Sequence, residues 1–240
     1  MLNQSDLSGV KQTALLFLHM PIEETPVSPI VVQHPIFETG IFSINKNGDF
    51  ITVNLLEDTE NTHELIKQYE NKFKNAKSVS FVYSLVRKSY RLAFLKYVKK
   101  YLSKADFSEL FADAWVSSEN PNQDANVRLS TLASWFKQAD KKVLMTEEDY
   151  AIYESLPSTL TVYRGVAVGR NPKGLSWTAN YDTAKWFANR FNNKDKKGYI
   201  QKVTIDKSRV LAYFNTRNED EIVVDTRGLE FEIMENEEES

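Results

Sequence analysis

Apolar and polar positions follow two different rhythms along this chain, and the changes of rhythm mark out its parts. Residues 12–57 carry short apolar runs at 13–20, 30–33, 40–44 and 50–55. These runs are broken by Pro21, Pro26, Pro29 and Pro35, and by Asn47-Gly48, a pair suited to a two-residue hairpin turn. The segment is expected to be rich in strands, and the stretch Ala14-Leu15-Leu16-Phe17-Leu18 reads as a buried one. Helical spacing then takes over. A helix capped by Asn61 or Thr62 is predicted to reach residue 75, with Leu65, Ile66, Tyr69 and Phe73 on one face. A longer helix is predicted over 80–102, and a short one starting at Asp106 or Ser108 holds Leu110, Phe111 and Trp115. The polar stretch 117–122 ends it as a loop, before a further helix over 126–139. Thr146, with Asp149 three residues on, makes a loose capping box for a helix that carries Tyr150, Tyr153 and Leu156 and stops before Pro157. Strand-like runs resume at Leu160.

The pattern describes an α+β protein in four parts. These are a β-rich segment of unassigned role (1–58), a helical region (59–157), a second strand-bearing region (158–235) and an acidic, solvated tail (236–240). With 240 residues, 42% of them apolar, the chain can bury a sizeable core as one large domain or two small ones. Its 30 basic and 33 acidic residues nearly cancel, so any polyanion site must be local. The absence of cysteine excludes disulfides, thiolate metal sites and a cysteine nucleophile, and points to a reducing, cytoplasmic compartment. The start has no basic region, and the apolar stretch 14–18 is far shorter than the roughly 18 residues that span a bilayer, so no membrane partner is expected.

One local charge cluster stands out. From Lys77 to Lys104 there is no acidic residue, whereas Arg87, Lys88, Arg91, Lys96, Lys99, Lys100 and Lys104 are basic and aromatic residues such as Tyr90 and Tyr101 lie between them. A basic helix from Arg87 to Lys104 would suit nucleic acid, an acidic protein or phosphates. The same pattern fits an amphipathic helix whose basic face is solvated. Two other motifs are incomplete. The segment Gly169-Arg170-Asn171-Pro172-Lys173-Gly174-Leu175-Ser176 has phosphate-loop glycines but Leu175 at the lysine position, and His63-Glu64-Leu65-Ile66 is followed by Lys67 where a zinc protease has its second histidine. No metal is expected.

The strongest chemical signal lies in the last third. Val162-Tyr163-Arg164-Gly165, Leu175-Ser176-Trp177-Thr178 and Glu219-Asp220-Glu221-Ile222-Val223-Val224 each join polar groups to a strand-like run. The order arginine, Ser-x-Ser/Thr, Glu-x-Glu resembles the mono-ADP-ribosyltransferases of the R-S-E type, which cleave NAD and pass ADP-ribose to an acceptor. The likeness covers residues 160–233. It includes a helix-like stretch from Asp182 to Ala188 and paired strands between Gln201 and Phe214. The interval from Arg164 to Ser176 is shorter than in many members of the family, and Trp177 and Thr178 stand where they carry threonine and serine.

The resemblance implies an ADP-ribosyltransferase-like split β-sheet core with NAD as substrate and no metal. It makes Glu221 the catalytic carboxylate, bonded to the ribose 2'-hydroxyl, with Ser176 orienting it and Thr178 supporting the strand or the nicotinamide ribose. Arg164, followed by Gly165, would grip the NAD phosphates as a guanidinium fork, and Phe187 would pack on nicotinamide. Glu219 would orient the acceptor, a protein arginine or other guanidinium group, with Tyr213 and Phe214 at the acceptor loop. Strand alternation turns Trp177 to the opposite side, into the core or onto a neighbour. Such an enzyme suits a phage or bacterial effector. The alternatives are an NAD glycohydrolase, in which water replaces the acceptor, and a catalytically silent binding module of the same fold.

Overall fold

In the computed structural model, which describes residues 2–46, 48–216 and 218–234, helices and antiparallel strands build an α+β protein. The acidic tail, 236–240, and Asn47 of the expected hairpin turn lie outside the described residues. Internal contacts divide the chain into two units, one ending at Ala114 and the next beginning at Trp115. The division falls inside a helix, and the compositional breaks near 58 and 157 lie within the two units.

The first unit opens with α1 (Leu7–Leu18), where a buried strand was expected over 13–20. The Asp6 side chain starts it by accepting the N–H groups of Ser8 and Gly9. Val10, Ala14, Phe17 and Leu18 are buried whereas Leu16 is 72% exposed, which is the period of a helix and not of a strand. A short apolar run does not distinguish the two, and the deciding residues, Asp6 and Val10, precede it. Two antiparallel hairpins follow: β1 (Glu23–Thr25) with β2 (Ser28–Gln33), and β3 (Ile41–Lys46) with β4 (Asp49–Asn54). Lys46 pairs with Asp49, and Gly48 takes a φ of 97°, a left-handed conformation that favours glycine.

Helix α2 (Thr59–Asn75) begins slightly earlier than predicted because Asp58 caps it. The long basic helix expected over 80–102 does not form. It is replaced by α3 (Val79–Ser84), α4 (Arg91–Val98) and two single 3-10 turns, Lys88–Tyr90 and Lys99–Tyr101. Tertiary hydrogen bonds break it: the Arg87 N–H donates to the Pro35 carbonyl, and Arg87 Nη1 donates to the carbonyls of Val32, His34 and Phe37 at 2.9 to 3.2 Å. Arg91 is likewise engaged, with Asp113 Oδ2 at 2.7 Å. Two of the cations that suggested a polyanion surface are therefore parts of the fold. Helix α5 (Lys104–Ser117) carries the chain past the division.

In the second unit α6 (Leu129–Gln138), α7 (Lys141–Leu144) and α8 (Glu147–Ser155) precede a sheet. Thr146 caps α8 as predicted, but Asp149 turns elsewhere and accepts the Asn215 N–H at 3.1 Å. The sheet comprises β5 (Thr159–Val166), β6 (Ser176–Thr178), β7 (Tyr199–Asp206), β8 (Val210–Phe214), β9 (Glu221–Val224) and β10 (Glu232–Met234), in the order β10-β7-β5-β6-β9-β8 with every neighbouring pair antiparallel. Between β6 and β7 lies α9 (Tyr181–Asn189), capped by Asn180. It rests directly on the sheet at two glycines. A Cβ on Gly165 would stand 2.1 Å from the Ala184 carbonyl oxygen, and one on Gly198 2.0 Å from that of Ala188. The three strands that carry the arginine, serine and glutamate motifs are thus consecutive in the sheet.

Candidate active-site cleft

Register decides which side chains meet. Thr178 pairs with Tyr163 on one side and Glu221 on the other, and Ser176 lies two residues along β6, so Ser176, Thr178, Tyr163 and Glu221 share one face. Trp177 and Ile222 form the neighbouring pair on the opposite face. There Trp177 is buried, donates Nε1–H to the Gly174 carbonyl at 3.1 Å and tilts against Phe231, as alternation predicted.

The shared face borders an open cleft. Arg164, Gly165, Ser176, Thr178, Phe187, Phe214, Glu219 and Glu221 all line it. The motifs are therefore brought together, but their members do different work.

Glu221 opens β9 at the floor, where both carboxylate oxygens accept the indole N–H of Trp115 at 3.2 Å. Burial pushes its carboxyl above the usual range, and so does the nearby charge of Glu219. The neighbouring Ser176 hydroxyl, the hydrogen bond from Trp115 and the charge of Arg164 oppose the rise. Ser176 Oγ accepts from Asn122 Nδ2 at 2.7 Å. The Thr178 hydroxyl accepts the Asn180 N–H at 3.1 Å, which closes the turn from β6 into α9.

Arg164 departs from its expected role. Along β5 it shares the buried face of Leu160, Val162 and Val166, opposite Tyr163 and Gly165. Its guanidinium reaches across to donate Nη1–H to the Ser176 carbonyl at 2.6 Å and Nη2–H to the Asn171 carbonyl at 3.0 Å, with Gly174 so close that a Cβ there would lie 2.2 Å from Nη2. Burial lowers it to about 10, so it stays charged at neutral pH. The fork that was to hold phosphate instead braces the segment leading into β6 through backbone carbonyls.

Glu219 lies between Asn218 and Asp220, which take left-handed φ values of 55° and 47°, a conformation that asparagine and aspartate tolerate better than most residues. The loop is latched: Asp149 accepts the Asn215 N–H, Asn215 Oδ1 accepts the Asp220 N–H at 3.2 Å, and the Tyr213 hydroxyl donates to Asp220 Oδ1. Tyr213, expected to face an acceptor, is buried and lies away from the cleft lining; it braces this loop instead. Phe214 and Phe187 do line the cleft.

Several cleft residues escaped the sequence reading. Trp115 and Asn122 stand outside the matched region, and only the general need of a buried indole N–H or amide for partners signalled them. Arg170 and Arg190 stack at 5.0 and 5.3 Å on the Phe191 ring, and all three line the cleft. Neither guanidinium has an acidic partner among the described residues, so the cleft has a cationic pole besides the carboxylate pole of Glu219 and Glu221.

Among the described residues no cluster of His, Asp and Glu is placed to hold a metal ion, and no helix is long and apolar enough to cross a membrane. Comparison of the chain with protein-family models, with curated proteins and with solved structures returns no match.

Proposed function

We propose that the second unit is an ADP-ribosyltransferase-like split β core that cleaves NAD and transfers ADP-ribose to a guanidinium acceptor, foremost a protein arginine. One observation carries this reading. Register puts Ser176, Thr178 and Glu221 on one face of adjacent strands, with the Glu221 carboxylate held by the Trp115 N–H and bordering an open cleft. The two poles fit the substrate. Arg170 and Arg190 take the diphosphate, since guanidinium groups recognise phosphate oxygens through paired N–H donors, and the nicotinamide ribose lies against Glu221. Phe187 and Phe214 supply apolar surface for the nicotinamide ring.

In the reaction the bond from ribose C1' to the nicotinamide nitrogen breaks and its electron pair leaves with nicotinamide. Positive charge develops on the ribose opposite Glu221, whose fixed carboxylate contributes about 3 to 4 kcal/mol of transition-state stabilisation in this low-dielectric setting. A guanidinium nitrogen of the acceptor then bonds to C1' and gives up its proton to Glu219. The latched loop fixes Glu219 for that task.

The test follows nicotinamide release and acceptor labelling in parallel. Glu219→Ala is expected to keep slow release and to abolish labelling. Equal loss of both would end the division of labour between the two glutamates. Release without labelling by the unaltered protein would identify a glycohydrolase, and no release at all would identify a silent binding module.

A further inference from the structure

Trp115 and Asn122 lie before the strands that carry the arginine, serine and glutamate motifs, yet their polar atoms end on the two central residues of the cleft. Trp115 is buried, packs edge-on against Phe136 at 4.9 Å and directs its single N–H at both oxygens of Glu221, 3.2 Å from each. An indole N–H is a donor and never an acceptor, so this contact favours the ionised carboxylate and fixes the rotation of its plane.

Asn122 acts one step further away. Its orientation is dictated by the Leu175 N–H, which can only donate and therefore requires Asn122 Oδ1 to face it, at 2.5 Å. Nδ2 must then face Ser176 Oγ, to which it donates at 2.7 Å. With its oxygen engaged as an acceptor, the Ser176 hydroxyl has its own hydrogen free to turn toward Glu221, its diagonal neighbour on the same face of the β6–β9 pair. Asn122 is itself buried and bounded by the Asn171 amide on its carbonyl, so the direction of the relay is built into the fold.

We propose that Trp115 and Asn122 are positioning residues for Glu221: Trp115 clamps the carboxylate directly, and Asn122 sets the polarity of the Ser176 hydroxyl that completes its donor set. The assignment rests on the reading of the cleft as an NAD-cleaving site. Neither residue touches the reacting atoms, and each acts through the glutamate.

The decisive variant is Trp115→Phe, which keeps an aromatic ring against Phe136 and removes the N–H together with the pyrrole part of the indole. It is expected to slow nicotinamide release at least about tenfold, leave NAD affinity within about twofold, and move the acid limb of the rate profile up by about one pH unit, the size of one hydrogen bond to a charged group. A carbon-13 carboxyl titration of Glu221 by NMR, in protein without NAD, should show the same upward displacement. Asn122→Ala should slow release about tenfold in the unaltered background and add nothing to Ser176→Ala, since groups acting through one another are not additive. A Glu221 midpoint that stays in place in Trp115→Phe overturns the clamp, whatever the enzyme does. Full additivity of Asn122→Ala and Ser176→Ala overturns the relay. If Glu221→Gln releases nicotinamide as fast as the unaltered protein, the NAD reading itself falls and takes the positioning roles with it.

Discussion

Each unit buries a cluster of ionisable groups, and the two are finished differently. In the first unit His34 Nδ1 accepts the N–H groups of Ile36 and Phe37 at 3.1 Å, its Nε2 meets the Leu18 carbonyl, and Arg87 closes three further carbonyls. Burial lowers the His34 pKa to about 4, so the ring stays neutral and all its polar atoms end on backbone. In the second unit Glu221 accepts the Trp115 N–H with both oxygens, yet its carboxylate still borders a cleft and shares it with Glu219. Both groups are perturbed mainly by burial. What separates them is saturation: the histidine cluster has nothing left to offer a ligand, whereas the glutamate carboxyl still faces a cleft.

That contrast breaks most sharply at Glu221. Glu221→Gln is expected to lower nicotinamide release at least about a hundredfold, equivalent to about 2.7 kcal/mol or more. The same variant should melt higher than the unaltered protein at pH 7.5 and equally at pH 4. A carboxyl whose folded pKa is raised binds its proton more tightly when folded, so it costs stability as the pH rises from its unfolded value through the folded one, and glutamine carries no such cost. A lower melting temperature at pH 7.5 would make Glu221 a structural group like His34.

Gly165→Ala comes next. Its methyl group would meet α9 backbone, which cannot rotate away as a side chain would, and the expected loss is about 3 kcal/mol in denaturant unfolding. A neutral result would mean that α9 is free to retreat from β5 and that the cleft wall is soft.

Arg87→Met should cost about 2 kcal/mol through its orphaned carbonyls while leaving nicotinamide release per folded molecule unchanged. Lost catalysis in the folded variant would join the two clusters that the contrast separates. His34 adds a gentler signature. Its folded pKa is depressed, so the unfolded chain takes up the proton first, and stability should decline as the pH falls from 6.5 towards about 4. His34→Gln should flatten that decline, and an unchanged slope would remove the histidine as its cause.

The smallest effect is expected at Asp225, on the residue after β9. Arg227 and Lys137 hold its carboxyl well below the usual range, but both cations are about half exposed, so Asp225→Asn should cost only about 1 kcal/mol at neutral pH. A loss of several kcal/mol would show that buried charge in this unit serves the fold as completely as it does around His34.

Local chemistry made some features legible in the sequence. Thr146 starts α8, Gly48 takes a left-handed φ between β3 and β4, Trp177 turns away from Ser176, and Glu221 opens a strand, each through propensity or alternation acting within a few residues. Long-range partners decided the rest. The 13–20 run became helix because Asp6 caps it and Val10 extends its stripe backwards, and the 80–102 helix broke because Arg87 found carbonyls 50 to 55 residues away. The arginine, serine and glutamate motifs and their order stand in the sequence. That Arg164 braces backbone, that Tyr213 latches a loop, and that Trp115 and Asn122 hold the glutamate and its serine were decided by tertiary structure alone, because a hydrogen bond depends on distance and direction in space, which sequence spacing does not specify between separate elements.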